Sequence, residues 1–183
     1  MADLLPSEPA LLFCGLLCAS EEGLERAGAA LVDAFGPLCE QSAILPWNFS
    51  DYYAEELGEP LVRRFLFFEK RLPPARLSSV KRETLGIEAT LSILRDGAAR
   101  RTVNIDPGYV TPAKVVLATT KDYSHRVSLA EGIFAEVTLI YHKNAFRPQS
   151  TTYPDFRTDA YLALFNGVRS RLLPRTIRPA GAR

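Results

Sequence analysis

The stretch of sequence that decides the fold is residues 101–142, RTVNIDPGYVTPAKVVLATTKDYSHRVSLAEGIFAEVTLIYH. Its alternating pattern predicts four strands: Arg101–Asp106, Lys114–Lys121, Arg126–Leu129 and Ile133–His142. Pro107-Gly108 and Gly132 are typical of turns between such strands. Because most of the unusual polar residues lie on these strands or at their turns, we expect a functional site in this part of the chain.

The residues before this stretch alternate between strand and helix patterns. The strands are predicted at Leu11–Ala19, Cys39–Trp47 and Leu61–Phe68. One helix begins after Ser20 and ends at Gly36-Pro37, and a second spans Leu77–Leu94 with an apolar stripe at helical spacing. With the strand at Arg101–Asp106, this order predicts a ferredoxin-like βαββαβ first half.

The remainder of the chain completes an α+β domain. Added antiparallel hairpins follow the first half, then a loop at Arg147–Arg157 and a C-terminal helix from about Thr158 to Leu173. We therefore predict a single α+β domain over residues 1–173 and a flexible basic tail over residues 174–183.

Composition narrows the class of protein. The chain has 183 residues, a net charge of +1, 47% hydrophobic and 23% charged residues, which is ordinary for a globular domain. With so small a net charge, the chain has no strong electrostatic field that would attract nucleic acid or anionic lipid, so neither partner is favoured. The apolar run at residues 10–19 is shorter than the ~20 residues that span a bilayer, and it lacks the basic flank of a signal peptide. These patterns predict a cytoplasmic protein with three core or surface thiols and no disulfide framework.

A basic cluster is predicted at the turn between two strands. Lys121, His125 and Arg126 lie within six residues, and converging donors of this kind can bind a phosphate or a carboxylate. The alternative is a solvated hairpin tip, where basic side chains are common. Both interpretations stay open at this point.

Acidic and amide side chains lie on the neighbouring strands. Glu136 is in the middle of the clearest strand, where a buried carboxylate needs a partner. It is either a general base or metal ligand, or a structural residue that pairs with a cation on a neighbouring strand or faces water. Asn104 and Asp106 end another strand beside Pro-Gly, as ligand groups or as turn residues. Asp106 and Glu136 could share a divalent cation, although no spacing requires a metal site.

Two further segments offer candidate ligand contacts. Tyr53 and Glu56 belong to a short helix, Asp51–Leu57, that is either a lid over a pocket or a segment docked on the core. Asp155 follows Tyr153-Pro154 and belongs either to a pocket rim or to a local turn network.

Several blocks of the sequence resemble one uncharacterised prokaryotic family. These blocks are Tyr52-Tyr53-x-x-Glu56-Leu57-Gly58, Asn104-x-Asp106-Pro107-Gly108-Tyr109, Ala118-Thr119-Thr120-Lys121, His125-Arg126, Gly132-Ile133-x-Ala135-Glu136 and Tyr153-Pro154-Asp155. Together they are similar to domain of unknown function 4416, with Leu57 in place of a methionine. The resemblance implies no established activity. Some members carry a GTP-binding label, but this chain has no G-x-x-x-x-G-K-[ST] phosphate loop.

The residues favour a protein that binds an anionic small molecule, a nucleotide or a phosphoester. The candidate catalytic residues are Glu136, His125 and Asp106, and the candidate ligand-binding residues are Lys121, Arg126, Asn104, Tyr53, Glu56 and Asp155. If the protein is an enzyme, phosphoryl or nucleotidyl transfer is the reaction we expect. An RNA-binding module and a non-catalytic protein-interaction domain are the alternatives. Cofactor, metal dependence and oligomeric state are not determined by these patterns.

Overall fold

The structure is a computed structural model that describes residues 8–95 and 97–172. Its helices are α1 (Glu21–Phe35), α2 (Ala54–Leu57), α3 (Leu77–Thr90) and α4 (Asp159–Leu172). Its strands are β1 (Ala10–Cys18), β2 (Leu38–Gln41), β3 (Leu45–Trp47), β4 (Leu61–Leu72), β5 (Ile93–Arg95), β6 (Ala98–Arg100), β7 (Val103–Val110), β8 (Lys114–Thr119), β9 (Val127–Ala130), β10 (Ile133–His142) and β11 (Ala145–Pro148). The protein is α+β, as predicted. The predicted tail at 174–183 lies outside the described residues.

One antiparallel sheet organises the molecule. Its strand order is β11-β10-β8-β7-β1-β4-β2, with β3 also paired to β4 and β9 also paired to β10. β5 and β6 form a separate hairpin. In the part of the chain described, no helix is long and apolar enough to cross a membrane.

The central strand β1 is buried on both faces of the sheet. All nine of its residues are buried, and it pairs with β4 on one side and β7 on the other. Cys14 and Leu16 face the layer of α1 and α3. Phe13 faces α4, where its ring lies 5.1 Å from that of Phe165. Sheet and helices therefore form three layers with a core on each side of β1.

The ends of α1 agree with the caps predicted from the sequence. The Ser20 hydroxyl accepts a hydrogen bond from the Gly23 amide at 3.1 Å, which satisfies one of the open donors of the first turn. Gly36 follows the helix with a φ of 94°, a conformation that favours glycine. Leu24, Ala27 and Leu31 pack against the sheet.

Four predicted elements of the first half are wrong in their extent. The strand predicted at Leu61–Phe68 continues to Leu72, and the one predicted at Arg101–Asp106 is Val103–Val110. The segment Cys39–Trp47 forms two short strands, because at Ser42 the side-chain hydroxyl, and not the carbonyl, accepts from the Phe65 amide at 2.9 Å. The helix predicted at Leu77–Leu94 ends at Thr90, and the next residues form β5 of the hairpin. Leu94 is consequently 83% exposed and does not belong to the apolar stripe.

Pro107-Gly108 is not a turn. Both residues lie inside β7 and pair with Cys14 and Phe13 of β1. A side chain at position 108 would collide with the Val116 carbonyl oxygen and the Phe13 ring, so glycine is present for close packing. The turn prediction failed because the packing partner is distant in sequence.

β10 has the bounds that the sequence predicts, but its alternation is interrupted. A bulge between Val137 and Leu139 shifts the register against β8. Thr138 and Leu139 are both fully buried, whereas Val137 and Ile140 are exposed. The loop predicted at Arg147–Arg157 likewise begins late, because residues 145–148 form β11 against β10.

Candidate functional site

A cleft opens where two neighbouring strands of the sheet diverge. β7 pairs with β1 along its whole length, but with β8 only over Gly108–Val110. β8 continues along β10 as far as Thr119. A cavity of about 470 Å³, called the cleft below, is lined by residues from both diverging strands and from the segments around them.

Where β7 has no pairing with β8, side chains of α3 take the place of that strand as hydrogen-bond partners. The Ile105 carbonyl accepts a hydrogen bond from Lys81 Nζ at 2.8 Å, and the Ile105 amide donates to Glu88 Oε1 at 2.6 Å. Burial raises the pKa of the Glu88 carboxyl above its ordinary value, although the Lys81 charge acts in the opposite direction. The helix thus satisfies the open edge of β7, and Lys81 also lines the cleft.

An arginine on β4 holds two carboxylates at one wall of the cleft. Arg63 Nη1 donates to Asp106 Oδ2 at 3.0 Å, and Arg63 Nη2 lies 3.5 Å from Asp155 Oδ2. The Trp47 indole donates to the same Asp155 oxygen at 3.0 Å. Burial opposes ionisation of Asp106, but the charges of Arg63 and Lys81 outweigh it and lower its pKa. The Asp106 side chain keeps 29% of its surface open.

A second arginine connects the α2 segment to the sheet. Arg101 Nε and Nη2 donate to the two Glu56 oxygens at 2.7 and 2.5 Å, and Nη1 donates to Glu88 at 3.1 Å. Hydrogen bonding to Arg101 is the largest influence on the Glu56 carboxyl and lowers its pKa. Arg101 Nη1 also donates to Asn104 Oδ1 at 3.2 Å.

A third arginine is buried behind the cleft with all its donor groups occupied. Arg126 Nε donates to Glu136 Oε2 at 2.9 Å, Nη1 to the Lys121 carbonyl at 2.9 Å and Nη2 to the Tyr153 hydroxyl at 2.5 Å. The other Glu136 oxygen accepts from Thr138 Oγ1 at 3.1 Å. Both oxygens of Glu136 therefore have a protein partner.

Four donor groups at the cleft have unused capacity within the described residues. Lys81 and Lys121 have no carboxylate within 4.0 Å, and Lys121 Nζ lies over the Tyr52 ring at 4.2 Å. Asn104 Nδ2 and Arg63 Nε are buried without a close hydrogen-bond partner, although Asn104 lies near enough to Asp106 to help lower the pKa of that carboxyl. Buried polar atoms are normally paired, so these positions are unusual.

The structure brings most of the predicted site residues together. Six of them line the cleft: Asn104, Asp106, Lys121, Glu136, Tyr53 and Asp155. Three do not line it: Glu56 holds Arg101, Arg126 lies behind Glu136, and His125 lines a second cavity of about 400 Å³. His125 Nε2 is 3.4 Å from Glu136 Oε2, yet the geometry makes no hydrogen bond. The basic cluster predicted at the turn is thus divided between two cavities and a buried ion pair.

Four residues that form the polar network of the cleft were not among the sequence candidates: Trp47, Arg63, Lys81 and Arg101. Arg63 had a usable signal, since it interrupts an otherwise apolar strand. Lys81 had another, because it lies two turns from Glu88 at the edge of an apolar helical stripe. Among the residues that the structure describes, no three His, Cys, Asp or Glu side chains are placed to hold a metal ion.

These features define an α+β protein with one antiparallel sheet and a polar cleft between two diverging strands. The chain belongs to the family described as a domain of unknown function (DUF4416), whose model matches residues 8–172. The match confirms the resemblance noted in the sequence. No curated protein and no solved structure matches the chain.

Proposed function

We propose that the cleft binds an anionic small molecule, either a nucleotide or another phosphoester. The observation that carries this proposal is the excess of unused donors at the cleft. Lys81 is 5% exposed and lies among the cleft residues without a carboxylate partner in the part of the chain described. A buried cation that makes no close ion pair is costly, and a bound phosphate would supply one in addition to the more distant Asp106 and Glu88 carboxylates.

The size of the cleft agrees with a ligand of this class. Pockets for small molecules span ~300–1,000 Å³, and the cleft measures about 470 Å³. Asn104 Nδ2 adds a donor for a phosphate oxygen. Asp106, which is partly open, would accept hydrogen bonds from hydroxyl groups of the same ligand.

The proposal assigns different roles to the predicted catalytic residues. Asp106 is the carboxylate best placed to act as a general base, because its side chain is partly open to the cleft. Glu136 is occupied by Arg126 and Thr138, so it positions the wall of the cleft. His125 belongs to the second cavity and takes no part in this site.

The order of the first strands supports a finer description of the fold. β7, β1, β4 and β2 are adjacent and antiparallel, and α1 and α3 pack on one face. This order suits the ferredoxin-like arrangement of a split βαβ unit. In such sheets an RNA-binding module stacks bases on an open face, but α4 packs on the other face of β1 and β4 here. Because α4 covers the face on which bases would stack, binding of a small molecule in the cleft is favoured over RNA binding.

Isothermal titration calorimetry with inorganic phosphate, ribose 5-phosphate and nucleoside monophosphates tests the proposal. We expect binding of at least one phosphorylated compound, and a loss of about tenfold or more in Lys81→Met and in Lys121→Met. Lys70→Met is the matched control, because Lys70 is exposed at the end of β4 and does not line the cleft.

Two results would contradict the proposal. One is the absence of binding by any of these compounds to the wild-type protein. The other is that Lys81→Met and Lys121→Met both bind the phosphorylated compound with the affinity of the wild-type protein. Thermal melts of all four proteins establish that each variant is folded.

A further inference from the structure

Two tyrosines at the cleft are exposed although most of its other aromatic residues are packed. Tyr52 is 64% exposed and Tyr153 is 40% exposed, and both line the cleft. By contrast, Trp47, Phe49 and Tyr53 belong to a core cluster with Leu57 and Leu61, so packing accounts for their presence. The Tyr52 ring meets this cluster edge to face, 4.9 Å from the Tyr53 ring, but most of its surface and a large part of Tyr153 stay open.

A chain of contacts connects the two tyrosines at the cleft. Lys121 Nζ lies 4.2 Å from the Tyr52 ring, and the Lys121 carbonyl accepts from Arg126 Nη1. Arg126 Nη2 then donates to the Tyr153 hydroxyl. Each tyrosine is therefore next to a cation that holds it at the cleft, which limits the conformational cost of ordering it on a ligand.

We propose that the ligand of the cleft is a nucleoside monophosphate, an inference that rests on the proposed function. The base would stack on Tyr52 and Tyr153, and the phosphate would bind within reach of Lys81, Asn104 and Lys121. Every base presents a ring face that stacks on aromatic side chains. A phosphorylated sugar presents none.

The charges at the cleft favour a single phosphate. Lys81 and Lys121 contribute two positive charges without carboxylate partners in the described residues, and a phosphate monoester carries about −1.5 to −2. The other cations are already paired: Arg63 with Asp106 and Asp155, and Arg101 with Glu56 and Glu88. A second or third phosphate would face these carboxylates without further cations, so di- and triphosphates bind more weakly.

Calorimetric titration tests the inference with the 5′-monophosphates of adenosine, guanosine, cytidine and uridine, with ribose 5-phosphate and with adenosine triphosphate. We expect the tightest monophosphate to bind about tenfold or more tightly than ribose 5-phosphate. Tyr52→Ala and Tyr153→Leu each reduce this preference and leave the affinity for ribose 5-phosphate unchanged, while Tyr52→Phe keeps it. Tyr123→Ala is the matched control, since Tyr123 is 53% exposed beside Arg126 but does not line the cleft.

The outcomes separate this inference from the proposed function. Equal affinity for ribose 5-phosphate and all four monophosphates overturns the inference and leaves phosphoester binding intact. A preference for nucleotides that survives in Tyr52→Ala and in Tyr153→Leu also overturns it. Tighter binding of the triphosphate than of any monophosphate overturns the charge argument, and binding of no compound overturns both proposals.

Discussion

Glu88 Oε1 accepts a hydrogen bond from the main-chain amide of Ile105 at 2.6 Å, so a helix side chain occupies the position of a missing strand. Lys81 completes the replacement by donating to the carbonyl of the same residue. An unpaired strand edge inside a protein is costly. These two side chains remove that cost, and they allow β8 to leave β7 and open the cleft.

The protonation of Glu88 makes a pH-dependent contribution to stability. Because burial raises its pKa in the folded state, the folded protein binds this proton more tightly than the unfolded chain does. The contribution is present below the ordinary pKa of glutamate and is lost as the pH rises through the raised value. We therefore expect wild type to lose stability relative to Glu88→Gln over that range. Urea denaturation of both proteins at a series of pH values measures the difference, and a difference independent of pH would contradict the prediction.

Arg63 is expected to be far more important for stability than its neighbour Arg64. Arg63→Leu leaves two carboxylates at the cleft without their cation, which we expect to cost about 3–5 kcal/mol. Arg64→Leu is the matched control, because its partner Glu25 is 70% exposed and such pairs are worth at most about 1 kcal/mol. Chemical denaturation compares the two variants. Equal losses would show that the Arg63 network is not a main support of the cleft.

Gly108 is predicted to be intolerant of any side chain. Gly108→Ala forces a methyl group against Phe13 and the Val116 carbonyl, which we expect to cost about 2–3 kcal/mol. Gly86→Ala is the control, because position 86 lies in α3 with no atom near the added methyl group. The free energy of unfolding of this variant should rise by about 0.5–1 kcal/mol. Urea denaturation distinguishes the two effects through the shift of the midpoint, provided that the dependence of the free energy of unfolding on urea concentration is the same. An unchanged midpoint in Gly108→Ala would refute the packing argument.

The three thiols are expected to react in two classes. Cys39 is exposed, whereas Cys14 and Cys18 are buried. Burial raises the pKa of Cys14, with a smaller opposing effect of Lys81, and the Cys18 thiol donates to the Thr102 carbonyl at 3.1 Å. A thiol reagent at alkaline pH should therefore label one cysteine in the folded protein and three after denaturation. Prompt labelling of Cys39→Ser would contradict this assignment.

Local sequence patterns were sufficient where neighbours in the chain determine the structure. The bounds of β10 and both ends of α1 agree with the prediction because alternation and capping are local signals. The turn prediction at Pro107-Gly108 is wrong because the role of Gly108 depends on Phe13, far away in the chain. The bulge in β10 is a similar case, since it is defined by pairing with β8.

The candidate site was predictable in its acidic and amide residues and less so in its cations. Asn104, Asp106 and Glu136 are polar residues in strand patterns, and all three line the cleft. Lys81 and Arg63 instead appear as interruptions of apolar patterns, which sequence alone does not distinguish from surface positions. Only the divergence of β7 from β8 brings them together, and that divergence is a tertiary feature.

Arg126 and Glu136 offer the sharpest test of whether Glu136 is structural or catalytic. If the pair supports the fold, a double-mutant cycle with Arg126→Met and Glu136→Gln should give a coupling of about 2–3 kcal/mol in the free energy of unfolding. The control cycle uses Arg76 and Glu83, which are 3.2 Å apart with side chains 59% and 43% exposed, and should give about 0.5 kcal/mol or less. A coupling at Arg126 and Glu136 no larger than the control would mean that the Glu136 carboxylate is held by other groups. In that case Glu136 would return as a candidate general base beside Asp106, because both carboxylates line the cleft and neither would be excluded by its ion pair.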